Sequence, residues 1–181
     1  VVSRLLNEYA NSKIMGMDAT YVHIAQKYYG NTAKTAWVDQ EQRDKITDNA
    51  RRLAPLLIGK KAPNLSLPKL NGERINLYDV KAKYTVVYFW DPDCGNCSKV
   101  SKKLVEMYDT YKALGVEIFG VCNKSGDELG KCLEKVENTG MKWVNTSDPD
   151  GSGQAHAKYY VLANPLIFLL DEDKNIRFKK I

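Results

Sequence analysis

Tyr84-Thr85-Val86-Val87-Tyr88-Phe89-Trp90 is followed, after Asp91-Pro92-Asp93, by Cys94-Gly95-Asn96-Cys97 and then by the stretch from Ser98 to Leu114. The first run is apolar without alternation, as expected of a strand covered on both faces. In the last stretch Val100, Leu104, Met107, Tyr108, Tyr111 and Leu114 recur at helical spacing, and Gly115 supplies a stop. Two thiols are therefore held where a buried strand hands over to a helix.

Two residues between cysteines at a helix start let the sulfurs bond with little backbone distortion, and the first thiol faces unpaired N–H groups and the positive end of the helix dipole. A thiolate is favoured there, so Cys94 is the expected nucleophile. Cys97, one turn in and more shielded, is the thiol expected to resolve a mixed disulfide. A CxxC can also be half of a zinc site, but Cys122 and Cys132 lack the second short knuckle that such sites use. A c-type haem needs a histidine after the second cysteine, where Ser98 stands. Neither metal nor organic cofactor is implied.

The chain has 181 residues, 44% of them hydrophobic, enough for a sizeable core. No run approaches the roughly 18 consecutive apolar residues of a membrane helix. The net charge of +5 comes from scattered lysines, such as Lys99, Lys102 and Lys103 beside the motif. No dense basic block is interleaved with aromatics, so a solvated basic face is expected and nucleic-acid binding is not. Val1-Val2-Ser3 carries neither an initiator methionine nor a signal peptide, which suggests a mature or excised piece. Four cysteines fit a reducing or an oxidising compartment.

Residues 1 to about 57 read as an all-helical region, with apolar positions at helical spacing near Leu5, across Asp18 to Tyr29 and across Asp39 to Leu57. Gly30-Asn31 is a stop between the last two, and Pro55 disturbs the final turn. From Ile58 the chain is extended and proline-punctuated, and Leu70 to Leu77 reads as a hairpin about Asn71-Gly72. Beyond the motif, Val116 to Cys122 reads as a strand, Asp127 to Asn138 as a helix, Trp143-Val144 as a short strand or loop and Gln154 to Tyr160 as a short helix. Leu166 to Leu170 and Asn175 to Lys180 close the chain as a hairpin. Alternation of strand and helix predicts a parallel crossover.

At this point the chain resembles the TlpA/ResA-like branch of the thioredoxin superfamily. The resemblance covers residues 58–181 and is carried by Ile58-Gly59-Lys60-Lys61-Ala62-Pro63-Asn64-Leu65-Ser66-Leu67, by Phe89-Trp90 ahead of the CxxC, and by Tyr160 to Asp171 with Asn164-Pro165 at its centre. It implies an α/β thioredoxin-like fold, a central mixed sheet flanked by helices, preceded here by helices at 1–57 similar to an extension found in some envelope members. It also implies a thiol-disulfide oxidoreductase of the bacterial cell envelope, periplasmic or lipid-anchored, whose partners are protein thiols and disulfides and an upstream thiol electron donor. Pro165 falls where the family places a cis-proline, so Asn164, Pro165 and Trp90 are the implied substrate-binding residues, with the Asn164 backbone offered to an extended substrate. No helix follows Lys180, so the family's final helix is expected to be missing.

The chain departs from the family at Asp91, Asp93 and Asn96. Two carboxylates beside Cys94 oppose its thiolate and are expected to tune its pKa above thioredoxin's, towards reducing chemistry. Tyr88 stands where thioredoxin has a buried acid, and a phenol is a poorer base, so Asp91 or water must relay the proton. Cys122, in strand alternation, and Cys132, on an apolar helix face, read as buried, inert thiols, with a strand-to-helix disulfide or a relay that hands electrons to Cys97 as the other reading. His23, on the apolar side of its helix, and His156 read as packing or surface residues. Two rivals remain: a binding module with a structural cysteine pair, and a peroxiredoxin-type peroxidase, against which Val87 replaces an expected proline.

Overall fold

The computed structural model describes residues 1–12 and 14–180. Five strands form one sheet in the order β5-β4-β3-β6-β7, where β3 is Tyr84–Trp90, β4 Val116–Cys122, β5 Val144–Ser147, β6 Leu166–Asp171 and β7 Ile176–Lys180. β3, β4 and β5 run parallel, whereas β6 and β7 are antiparallel to their neighbours. The helices between the parallel strands are α4 (Gly95–Ala113) and α5 (Leu129–Thr139). This is the thioredoxin-like mixed sheet flanked by helices.

Strand alternation sorts the side chains onto two faces. Tyr88 and Trp90 of β3, with Ile118 and Cys122 of β4, pack beneath α4 and α5 against Cys97, Tyr108 and Cys132. Val87 and Phe89, with Phe119 and Val121, face the opposite way onto Leu65, Leu67, Leu77, Tyr159 and Phe168. Each such fully buried side chain contributes about 1.5–3 kcal/mol of transfer free energy, so the central strands, apolar on both faces, anchor the domain.

The lead-in segment crosses this second face from one sheet edge to the other. At the β7 side Gly59 N donates to Ile176 O (2.7 Å), Ile176 N to Lys60 O (2.8 Å) and Ala62 N to Lys174 O (2.9 Å). At the β5 side Lys69 bridges Thr146, and Leu70 N donates to Asn145 O (3.0 Å). In between lie β1 (Ser66–Pro68) and β2 (Arg74–Asn76), an antiparallel pair closed through Gly72 at φ 96°. The sequence placed this hairpin's first arm later, at Leu70. The Lys69–Glu73 turn occupies that stretch, with Lys69 N donating to Glu73 O (2.7 Å).

The N-terminal region folds around Leu6, Tyr21, Val22, Ile24, Ala25, Tyr29, Val38 and Ala50. Its helices are α1 (Val2–Ala10), α2 (Asp18–Ile24), which continues as a π-helical turn over Ala25–Tyr29, and α3 (Gln40–Leu53). Asp39 caps α3 by accepting from Gln42 N (2.8 Å). The helix ends before Leu57 because the Pro55 ring lacks an N–H, and Ala54–Leu56 form a 3-10 turn instead. His23 is exposed between buried Val22 and Ile24, not on the apolar side where periodicity put it, because Val22, Ile24 and Ala25 already fill that face. Contacts that fasten the region to the sheet domain include Tyr160 Oη donating to Asn49 Oδ1 (2.7 Å), the pairing of Lys179 with Asp18, Lys179 Nζ donating to Leu56 O (2.8 Å), and Arg52 over the Tyr160 ring.

Candidate active site

β3 delivers the chain to the C-terminal edge of the sheet, where Trp90 O accepts from Asn123 N (2.8 Å). A turn follows in which Asp91 accepts twice, from Asp93 N through Oδ1 (2.8 Å) and from Cys94 N through its carbonyl (3.2 Å). This Asx turn sets Cys94 at the head of α4. The helix begins at Gly95, three residues before the apolar periodicity becomes visible, and its cap is the cysteine itself. Cys94 Sγ accepts from Cys97 N (3.1 Å), so a negative charge on that sulfur would be met by one of the orphan donors of the helix start.

The two thiols differ in surroundings. Cys94 is partly exposed, and an added Cβ at neighbouring Gly95 would meet nothing within 4 Å, so the outer side of the motif is open. Cys97 is 1% exposed. Burial above all, and then the Cys94 sulfur, push the Cys97 thiol up to about 12, against a smaller opposing contribution from the Asp91 backbone. The attacking and resolving assignments made from sequence thus fall on a reachable sulfur and a sequestered one.

Across from the motif, the Asn164–Pro165 bond is cis, and Cys94 Sγ–H donates to Asn164 O at 3.6 Å. Asn164 Oδ1 is buried without a hydrogen-bond partner among the described residues. Cys94, Asn164 and Pro165 are therefore brought together. Trp90 is 1% exposed and packs with Tyr88 and Cys97, so its indole supports the site from beneath.

Tyr88 lies under the first turn of α4. Its hydroxyl donates to Cys97 O (3.1 Å) and shares a hydrogen bond with Ser101 Oγ (3.0 Å). Burial holds its phenol above the usual range. His156 packs edge-on to Phe89, with ring centroids 5.8 Å apart, and burial lowers its pKa.

Asp91 and Asp93 are not bare carboxylates. Lys124 Nζ lies 2.8 Å from Asp93 and 3.4 Å from Asp91, and Lys131 Nζ lies 3.3 Å from Asp93. The Lys124 contact, ahead of that from Lys131, holds the Asp93 carboxyl below its usual range. Lys135 Nζ adds a hydrogen bond to Ser98 Oγ (2.8 Å). None of these lysines was legible as part of the site, because each lies 31 or more residues downstream of the group it contacts, without a motif of its own.

Cys122 and Cys132 form a disulfide with Cα atoms 6.3 Å apart. This corrects the expectation of two inert thiols. Both do face the core, as alternation and helical spacing indicated, but the last residue of β4 and the first turn of α5 meet there at bonding distance, which neither pattern reveals.

The model of the AhpC/TSA family matches residues 58–179. The thiol-disulfide oxidoreductase ResA of Bacillus subtilis is 40% identical over 121 residues, 65% of this chain and 64% of that protein. Peroxiredoxin Bcp of Escherichia coli is 32% identical over 133 residues, covering 67% of this chain and 83% of that one. Among solved structures, a domain of a possible thiol-disulfide isomerase from Cytophaga hutchinsonii superposes with a TM-score of 0.64 at 35% identity, over 71% of this chain and 86% of that one. The chain spans just under two thirds of the length of the ResA proteins it matches.

Proposed function

The chain belongs to the AhpC/TSA family of the thioredoxin superfamily, and from that membership we propose that it is a thiol-disulfide oxidoreductase that reduces protein disulfides through Cys94 and Cys97. The observation that carries this reading is the pairing of an open, helix-capping sulfur with a buried one three residues on, beside the Asn164 carbonyl. The Cys94 thiolate attacks a substrate disulfide, forming a mixed disulfide and releasing one substrate thiolate. Cys97 then gives up its proton and attacks the Cys94 sulfur, which releases the second substrate thiolate and leaves a Cys94–Cys97 disulfide. Two electrons have passed to the substrate, and an upstream thiol donor restores the pair.

Asn164 and Pro165 are the substrate-side residues in this reading: the main chain next to Cys94, at the bend that leads into β6, can pair with an extended peptide whatever its side chains. The buried Cys122–Cys132 disulfide supports an oxidising compartment, consistent with a place in the bacterial cell envelope. The reductive direction is tested by equilibrating the Cys94–Cys97 pair with dithiol buffers. A potential near or below about −250 mV supports a reductant, and one above about −180 mV an oxidant or isomerase. Cys97→Ser should accumulate a mixed disulfide with a disulfide-bonded protein substrate, and Cys94→Ser should not; equal trapping by both would sink the assignment.

The match to peroxiredoxin Bcp favours one second reading, a thiol peroxidase. Val87, inside β3 between Phe119 and Phe168, is paired on both sides and offers no loop around a peroxidatic sulfur. Consumption of hydrogen peroxide by the reduced protein faster than its reduction of protein disulfides would replace the first reading with this one.

A further inference from the structure

The residues from Cys122 to Cys132 form a loop closed at its base by a disulfide, and both lysines that reach Asp91 and Asp93 belong to it. Lys124 stands two positions after the first cysteine and Lys131 one before the second. The base of the loop is fixed to the site independently: Cys122 is the register partner of Trp90, and Asn123 N bonds Trp90 O. Lys124 is well covered, with 14% of its side chain exposed, as is Asp91 at 17%. Most of the intervening residues, from Ser125 to Glu128, are exposed.

Two carboxylates within three residues of a sulfur disfavour negative charge on it. Lysines on an exposed loop would offset this weakly, since each exposed ion pair is worth about 1 kcal/mol or less and must first be ordered. Closing the loop covalently removes much of that ordering cost. We propose that Cys122 and Cys132 are positioning residues for the chemistry of Cys94: their disulfide clamps a cationic loop onto Asp91 and Asp93, so that the carboxylates flanking the motif do not oppose a thiolate at Cys94. This rests on Cys94 being the attacking thiol, and it gives the second cysteine pair a role without electron transfer through it.

The test uses the full chain with Cys97→Ala, which leaves Cys94 as its one free thiol while the Cys122–Cys132 bond stays intact, as checked by intact mass. The rate of iodoacetamide labelling of Cys94 at neutral pH is the readout. Lys124→Met with Lys131→Met should slow labelling by about threefold or more, the size expected for losing these ion pairs. Lys124→Arg with Lys131→Arg should restore it. Cys122→Ala with Cys132→Ala should slow it in the same direction, and in an Asp91→Asn, Asp93→Asn background both losses should vanish.

If the double alanine variant does not fold, the folded Cys97→Ala protein is instead treated with a water-soluble phosphine, which becomes the phosphine oxide as the disulfide becomes two thiols. Cys122 borders an open cleft with Lys124, Asp148 and His156, and the labelling of Cys94 is then followed on its own peptide. Unchanged labelling after loss of the disulfide overturns the proposal, as does a slowing that persists when the carboxylates are neutral. Labelling does not depend on protein disulfide exchange, so failure of the oxidoreductase reading would show separately, as absence of substrate reduction by the unmodified chain.

Discussion

The Tyr88 hydroxyl hydrogen-bonds the backbone carbonyl of Cys97, so the strand that leads into the motif is tied to the helix turn that holds its buried sulfur. With Ser101 as a second partner the phenol is fully engaged, and burial keeps it protonated. Tyr88→Phe should therefore lower stability by about 1–3 kcal/mol, the cost of leaving buried polar atoms unpaired. It should leave the rate of disulfide exchange within about twofold, whereas loss of a true proton relay would cost about a hundredfold or more. Urea denaturation and single-turnover kinetics on the same variant distinguish the two roles.

Cys97 makes the reduced protein sensitive to alkali. Its thiol keeps its proton up to about 12 in the folded state, against an ordinary value of 9.0. Unfolding across that interval releases a proton, so this contribution is fully present below the lower value and is lost as pH rises towards the upper one. Buried Tyr88 and Tyr159 act in the same direction and must be subtracted. The stability difference between the reduced chain and its Cys97→Ala variant, from urea midpoints, should shift progressively against the parent over this interval; parallel curves would mean the thiol is not held protonated.

Gly120 shows how tightly β4 is packed next to the site. A Cβ there would lie 2.9 Å from Asn145 Oδ1 and 3.0 Å from Trp143 Nε1, both in buried side chains. Gly120→Ala should cost about 1–3 kcal/mol, the usual penalty for overpacking a filled core. Thermal unfolding of the two proteins measures it, and an unchanged midpoint would show that Trp143 can give way.

The pair between Lys179 and Asp18 joins β7 to α2, and only 3% of the lysine side chain is exposed. Asp18→Leu alone leaves a buried ammonium with only the Leu56 carbonyl and should cost about 3–5 kcal/mol. Adding Lys179→Met should recover most of that loss, because an apolar pair of similar volume avoids the desolvation penalty. A double variant no more stable than the single one would place the weight of this contact elsewhere.

Local signals carried much of the architecture. The unbroken apolar run at Tyr84–Trp90 and the helical spacing after Cys97 depend on neighbours in sequence; β3 appears where its pattern puts it, and α4 covers its predicted stretch but starts three residues earlier, at Gly95. β5 was half visible because Asn145, Thr146 and Ser147 are buried yet polar. Their needs are met in ways a hydrophobic pattern cannot show, as when Thr146 Oγ1 donates to Gly120 O (2.8 Å). Cys94 and Cys97 were legible because their chemistry is set by the first turn of one helix. The compensation of Asp91 and Asp93 was not, since Lys124 and Lys131 meet them across a gap that spacing along the chain does not encode.

The lead-in segment that bonds Ile176 at one sheet edge and Asn145 at the other works as a girdle. Its partners at the β7 side lie far downstream, so it closes one of the longest loops among the described residues, and its hydrogen bonds at that edge form only once β7 is in place. Where the segment is not yet seated, a border of the sheet offers unpaired main chain to any passing strand. Closure of this long loop and protection of the sheet edges from intermolecular pairing are in this way a single event.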